Sequence, residues 1–336
     1  MKTRSAYMKS PWQFELREVT LPDAPPVGWA LVRVEAAGIC GTDLTAAAQD
    51  AGDWAAFGHE VAGVLEALGP GVEGLRVGQK VVLESSSSCG RCDLCRNGRT
   101  DLCNKAPGFW GQAAMGFSDF MLAPACGIVP YDGLSPEVAS LTEPAGVAYD
   151  MVKVAGVQLG DRVCIVGPGP IGLMAASLAK SAGAVRVVCI GHSHSEKRLA
   201  TARDLGAEAV ACDGAIEDLK DLAGQFDHAL VTAPTSFIPP ALGLLACEGK
   251  LTYVGIGRGG GTIRFDANDF HFRKLQLRAS FASPAAYFPR VLSLMKAGII
   301  QGERIVSHTF RLADIGKAML AARDDKRSTV KVVVRP

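Results

Sequence analysis

Cys40-Gly41-Thr42-Asp43 and Gly58-His59-Glu60 place a thiol, an imidazole and two carboxylates within 21 residues of chain. Thiolate, imidazole and carboxylate are the side chains that bind zinc. A third carboxylate, Glu143, stands in Leu141-Thr142-Glu143-Pro144, just ahead of a helical pattern. Cys40, His59 and Glu143 would give three protein ligands and leave a fourth position open, which is the coordination of a catalytic zinc. Such a position polarises an alcohol and lowers its pKa. Asp43 is placed to hold the second ring nitrogen of His59, and Glu60 adjoins that histidine. The Thr42 hydroxyl, two residues from the cysteine, is placed to accept the substrate proton. Taken singly, each residue also fits an ordinary role, as a core cysteine, a core histidine or a turn threonine.

A second cluster follows. Cys89, Cys92, Cys95 and Cys103 have the spacing C-x2-C-x2-C-x7-C, with Gly90 and Gly98 allowing the loop to wrap an ion. Four thiolates complete a tetrahedral zinc with no open position, so this site is structural. The spacing matches neither ferredoxin pattern for an iron–sulfur cluster. Free surface thiols or two disulfides are the alternatives.

Further on, Arg162-Val163-Cys164-Ile165-Val166 runs into Gly167-Pro168-Gly169-Pro170-Ile171-Gly172. A G-x-G-x-x-G between a strand and a helix is the dinucleotide-binding context. Gly167 permits the tight turn, Gly169 lets backbone approach a pyrophosphate at the helix N-terminus, and Gly172 allows close packing. An acid at the end of the second strand would bind the ribose 2′-hydroxyl of NAD. Here Val187-Val188-Cys189-Ile190 ends in Gly191-His192-Ser193-His194, with Lys197 and Arg198 following. Without the acid, His192, Ser193 and Arg198 favour a 2′-phosphate, so NADP is preferred and NAD is the alternative. Replacing Gly191 by aspartate is expected to move that preference toward NAD. The nicotinamide ring is expected near Val231-Thr232-Ala233 and Val254-Gly255-Ile256, at the ends of two later strands.

These residues need a scaffold. Residues 1–34 alternate apolar and polar around prolines, and 30–34 reads as a strand that delivers Cys40 at its end. Residues 61–68 and 118–124 read as further strands. From about 135 the period changes. Helix 144–155 closes at Gly156. Strands at 163–166, 186–190, 209–211, 228–232 and 250–255 then alternate with helices at 170–182, 195–204, 215–222 and 236–246. That alternation predicts an α/β chain with a doubly wound parallel sheet. Helices at 285–297 and 312–322 and a strand at 329–334 complete the chain.

The 336 residues suit two domains. Lys and Arg total 35 against 34 Asp and Glu, which gives no electrostatic reason to expect nucleic acid or an acidic membrane surface. No apolar run reaches membrane-spanning length, and Met1-Lys2-Thr3-Arg4 leads into no signal-peptide core. A cytoplasmic protein is expected, with its clustered cysteines on metal rather than in disulfides.

In order along nearly the whole chain, GICGTDL at 38–44, GHE at 58–60, the four-cysteine lobe, EP at 143–144 and GPGPIG at 167–172 resemble the zinc-dependent medium-chain dehydrogenase/reductase superfamily. Glu143 in place of a cysteine is similar to its sorbitol, threonine and polyol dehydrogenase branch. The resemblance implies a GroES-like, β-rich catalytic domain from 1–145 and 284–336, carrying a structural-zinc lobe at 85–106. It implies a Rossmann domain from 146–283, with the active site between the two. It further implies two zinc ions per chain, with Glu60 exchanging with water at the catalytic one and Thr42 serving the substrate oxygen. A homodimer or homotetramer is also implied. Thr45 stands where many relatives carry the histidine that ends the proton relay. Ala46 to Ala56 is shorter than the loop common in polyol enzymes, so polyol specificity does not carry over.

The expected reaction is hydride transfer between a secondary alcohol or polyol and NADP, with NAD-dependent polyol oxidation as the alternative. A zinc-independent enone reductase on the same fold would not need Cys40, His59 and Glu143. A catalytically silent nucleotide-binding protein is the reading from another class. Trp54, Phe57, Phe109 and Trp110 are candidate pocket walls.

Overall fold

A computed structural model describes residues 1–255 and 261–336. One of its two main sheets is six-stranded and parallel. The strands lie in the order Glu208–Ala211, Arg186–Gly191, Arg162–Val166, Phe226–Val231, Leu245–Tyr253, Gln276–Ala279. The central strand explains why. Val163, Cys164 and Ile165 are completely buried and Val166 nearly so. A strand apolar on every position must be covered on both faces, which is the parallel, helix-flanked case. The strand order reverses between Arg162–Val166 and Phe226–Val231, and a crevice opens there at the strands' C-terminal ends.

The N-terminal part is antiparallel. Trp29–Gly38 is the axis of a seven-stranded sheet and pairs with Glu60–Leu68 and Phe120–Pro124. The last strand, Lys331–Arg335, also joins it, with Val333 opposite Gly38. The two ends of the chain therefore share one sheet, as a GroES-like domain requires.

Two expected helices do not form. Residues 215–222 make only the short 3₁₀ turns Ile216–Asp218 and Lys220–Leu222. Leu219 stands between them at φ −78° and ψ 61°, outside the helical region, so the two turns do not join. Residues 236–246 break into the turn Thr235–Phe237, the helix Ile238–Ala241 and the turn Leu242–Leu244. Pro239 and Pro240 donate no backbone hydrogen bond, Gly243 weakens the next turn, and Leu245 already begins the following strand. The sequence pattern does not point to the strands Lys2–Lys9, Lys80–Leu83, Ile128–Pro130, Gln276–Ala279 and Val306–Arg311, among others. Two helix ends are capped. Ser135 Oγ accepts the Val138 N–H at 3.3 Å, and Gly156 closes helix Thr142–Ala155 at φ 73°. Among the described residues no helix is long and apolar enough to cross a membrane.

Candidate active site

Cys40 follows the strand Trp29–Gly38 and caps the five-residue helix Gly41–Thr45. Its N–H donates to Asp43 Oδ2 at 2.9 Å, so the first turn holds the thiol in place. His59 and Glu60 sit at the start of the adjacent strand, where Glu60 pairs with Gly38. Cys40, His59 and Glu60 each offer a ligand atom, and these atoms lie within 4.8 Å of one another. Buried Asp43 reaches to 3.7 Å from His59 Nδ1, beyond hydrogen-bond range, and that nitrogen has no other partner. Burial alone would push the His59 pKa down, but Asp43 and Cys40 hold it well above the usual imidazole range. A half-buried sulfur converging with a buried nitrogen and a buried carboxylate oxygen fits a zinc ion.

Glu143 lies outside that 4.8 Å set. It is the second residue of helix Thr142–Ala155. Burial raises its pKa to about 7, while His59 pulls it down and Glu60 pushes it up, so it lies within electrostatic reach of the cluster, although it lines a separate small cavity with Ser85 and Phe288. Thr42 is exposed on the first helical turn. The Thr45 hydroxyl donates to the Gly41 carbonyl at 2.8 Å, so its proton is committed to the backbone.

Lys331 was not anticipated. It is 3% exposed, and its ammonium donates to Glu60 Oε1 at 2.5 Å. Burial works against its charge, but Glu60, Cys40 and Glu143 outweigh that and raise its pKa. Its signal was in the sequence: one lysine inside Val330-Lys331-Val332-Val333-Val334, at a position whose strand neighbours are all core valines.

Of the four aromatics named as pocket walls, Phe57 and Phe109 are core residues. Trp54 lies beneath the Arg17 guanidinium. Trp110 alone approaches the cluster, with its ring 5.2 Å from the His59 ring and half of its surface exposed.

The three glycines of the turn meet their requirements separately. Gly167 has φ +101°, which favours glycine. A Cβ at Gly169 would meet nothing within 4 Å, leaving the backbone open to a ligand at the start of helix Pro170–Ser181. A Cβ at Gly172 would stand 2.3 Å from the Gly167 carbonyl oxygen. Thr232 Oγ1 ties the turn to the neighbouring strand by donating to that same carbonyl at 2.5 Å.

Two cavities meet at this turn. One, of about 260 Å³, is lined by Gly167, Gly169, Gly191, His192, Arg198 and Thr232, among others. The other, of about 280 Å³, is lined by Cys40, Glu60 and Lys331 on one side and by Gly169, Pro170 and Ile171 on the other. Arg198 and Thr232 belong to both. Ser193 lines neither; its N–H donates to Asp213 Oδ1 at 2.9 Å. Val254 and Gly255 follow the strand Leu245–Tyr253, and the Val254 N–H donates to the Val231 carbonyl at 3.1 Å. Ile256 lies outside the described residues.

The four lobe cysteines also converge, with ligand atoms mutually within 4.8 Å, and all ten cysteines of the chain are free. Backbone N–H groups of Arg91 and Cys92 lower the Cys89 pKa to about 6, whereas burial pushes Cys95 up to about 12. Four sulfurs in one small cluster with no disulfide fit a closed tetrahedral metal site. Replacing Cys95 by serine is expected to release one metal equivalent and to make residues 85–106 protease-sensitive. Unchanged metal content and cleavage would exclude a structural ion there.

Comparison with known proteins bears on this arrangement. Residues 26–133 match the alcohol dehydrogenase GroES-like domain and residues 170–297 match the zinc-binding dehydrogenase domain. L-threonine 3-dehydrogenase of Pyrococcus horikoshii is 32% identical over 327 residues, covering 93% of this chain and 90% of that protein. The chain belongs to the zinc-dependent medium-chain dehydrogenase/reductase superfamily. Members similar to it include L-galactonate-5-dehydrogenase of Escherichia coli K12, 28% identical over 95% of this chain and 94% of that one. The crystal structure of 2R,3R-butanediol dehydrogenase from Bacillus subtilis superposes with a TM-score of 0.85, at 26% identity over 99% of each chain. This medium-chain dehydrogenase is thus an oxidoreductase with a GroES-like sheet and a Rossmann sheet.

Proposed function

We propose that the protein is a zinc-dependent dehydrogenase that moves a hydride between a secondary alcohol or polyol, or the matching ketone, and NADP(H). One observation carries this: a single cavity is lined by the Cys40–Glu60 cluster and by the dinucleotide turn. Alcohol oxidation needs a site for the substrate oxygen and a site for the hydride acceptor side by side. The relatives, which are named for threonine, galactonate and butanediol oxidation, support the alcohol class.

Cys40, His59 and Glu143 would hold the catalytic zinc, with Glu60 adjoining them, and Cys89, Cys92, Cys95 and Cys103 the structural one. Bound zinc supplies Lewis acidity toward the substrate oxygen, and the nicotinamide supplies the hydride acceptor. The protein's own groups do the rest. Asp43 fixes the Cys40 backbone through a hydrogen bond and places its charge 3.7 Å from His59 Nδ1. Thr42 accepts a hydrogen bond from the substrate hydroxyl and would pass its own proton on to solvent, to which it is exposed. Lys331 neutralises Glu60 so that the buried cluster does not accumulate negative charge. Gly169 and the N-terminus of helix Pro170–Ser181 receive the pyrophosphate. We extend the reading to a catalytic domain of 1–145 with 284–336 and a cofactor domain of 146–283, because Lys331–Arg335 pairs with Trp29–Gly38 while the parallel sheet contains neither. Turnover of a secondary alcohol is expected to be lost to a chelator; a chelator-insensitive rate would remove zinc from the reaction.

The preference for NADP rests on Gly191, His192 and Arg198 along one cavity wall, with Arg198 spending its Nε–H on the Thr329 carbonyl at 2.9 Å. NAD remains the alternative, and Asp213, 3.6 Å from His192 Nδ1, is the observation on its side. The structure changes how the selector must be tested. A Cβ at Gly191 would stand 2.5 Å from Pro168 Cγ and 2.6 Å from its Cδ. A proline ring in a tight turn has little room to move, so Gly191→Asp alone is expected to weaken both cofactors. Gly191→Asp combined with Pro168→Ala is expected to bind NAD better relative to NADP, by about tenfold, the effect of one good polar contact to a charged group. An unchanged ratio of the two dissociation constants in the double variant would show that position 191 is not the selector.

A further inference from the structure

Beyond the two metal clusters already described, one further set of donors converges among the described residues. His192, His194 and Asp213 each offer one ligand atom, and these atoms lie within 4.8 Å of one another. They come from two adjacent parallel strands. His192 and His194 follow Arg186–Gly191, and Asp213 follows Glu208–Ala211, with Gly191 and Ala211 in register. The imidazoles lie nearly parallel, 13° apart, with centroids 5.1 Å from each other. Asp213 Oδ1 stands 3.6 Å from His192 Nδ1.

The local backbone holds this set together. The Cys212 N–H donates to the Gly191 carbonyl at 2.8 Å, tying the two strand ends. The Ser195 N–H donates to the His192 carbonyl at 3.0 Å and closes the loop that carries both histidines. The Ser193 N–H, between the histidines, donates to Asp213 Oδ1 at 2.9 Å. That bond fixes the Asp213 carboxylate beside both imidazoles.

We propose that His192, His194 and Asp213 form a third metal site, for an exchangeable divalent transition cation such as nickel, copper or zinc. Two imidazoles and one carboxylate suit these ions. Calcium and magnesium prefer all-oxygen shells, and two of the three donors are nitrogen. All three residues are exposed, so the remaining positions on the ion belong to water and the ion exchanges. This separates the site from the closed four-cysteine cluster. Its place is also defined: His192 lines the cavity of about 260 Å³ beside Gly191 and Arg198, so the ion sits at the rim of the nucleotide cavity. The site depends neither on the cofactor preference nor on the reaction.

The test is calorimetric titration of the zinc-loaded protein with nickel alone, with released zinc measured in parallel. One further equivalent is expected to bind with zinc retained. His194→Ala is expected to abolish that equivalent. Asp213→Asn is expected to weaken it by at least about tenfold, since even outer-shell changes at metal sites cost that much. Retention of the two cysteine-containing zinc sites in both variants would show that they remain folded. Nickel uptake matched by zinc release, no further equivalent, or undiminished binding in His194→Ala would each overturn the proposal.

Discussion

Cys40→Ser is expected to eliminate alcohol turnover while leaving dinucleotide binding intact. Cys40 is the softest of the three donors that converge within 4.8 Å, and a serine hydroxyl is a poor zinc ligand beside a thiolate. Changes that only reach a metal through its ligands cost about 10–100-fold. Loss of a ligand is expected to lower kcat/KM by at least about a hundredfold. The nucleotide turn belongs to a different sheet, so quenching or enhancement of reduced-nicotinamide fluorescence on binding is expected to persist. Cys40 is only half-buried and caps a five-residue helix, so the fold is expected to survive. Full activity in Cys40→Ser would contradict a catalytic metal at this cluster.

The second large effect is on stability. Lys331→Met is expected to destabilise the protein by about 3–5 kcal/mol, because it leaves a buried carboxylate without its partner. Glu60 is completely buried and Lys331 is 3% exposed, so solvent does little to screen either charge. Cys40 and Glu143 also act on the ammonium and help to raise its pKa, so its loss removes more than the Glu60 contact. Combining Lys331→Met with Glu60→Gln is expected to recover most of the loss, since a neutral pair need not be solvated. Urea unfolding of the metal-free and zinc-loaded forms reads both variants. A single-variant effect within about 0.5 kcal/mol, the range of an ordinary surface change, would show that the pair is not a buried ion pair in solution.

How far the site is legible in the sequence depends on what each residue must satisfy. Gly167, Gly169 and Gly172 are legible because each answers a separate steric demand at a fixed spacing, and the geometry meets all three demands. Cys40, His59 and Glu60 are legible as neighbours because their types are rare together and one strand pair suffices to join them, whereas Glu143, the third ligand expected from the sequence, lies outside that set. The parallel sheet is legible because fully buried strands carry unbroken apolar runs. Lys331 is harder. Its partner is 271 residues away along the chain, and only the pairing of the last strand with Trp29–Gly38 brings it to Glu60. The contact between Pro168 and the space above Gly191 is invisible to a motif, because it depends on how a turn stacks on the neighbouring strand end. The failed helices at 215–222 and 236–246 are local errors of a different kind. A non-helical Leu219 and consecutive prolines interrupt an apolar pattern there.

The most direct test follows absorbance of the reduced nicotinamide in zinc-loaded protein. Polyols, secondary alcohols and sugar acids are offered with NADP and NAD in parallel, each with a chelated control. Reduction of NADP by one substrate group, abolished by the chelator and restored by zinc, is the predicted result. Silence of the zinc-loaded protein with every alcohol and both cofactors, while it still binds the dinucleotide, would contradict the dehydrogenase reading and favour a nucleotide-binding protein without turnover.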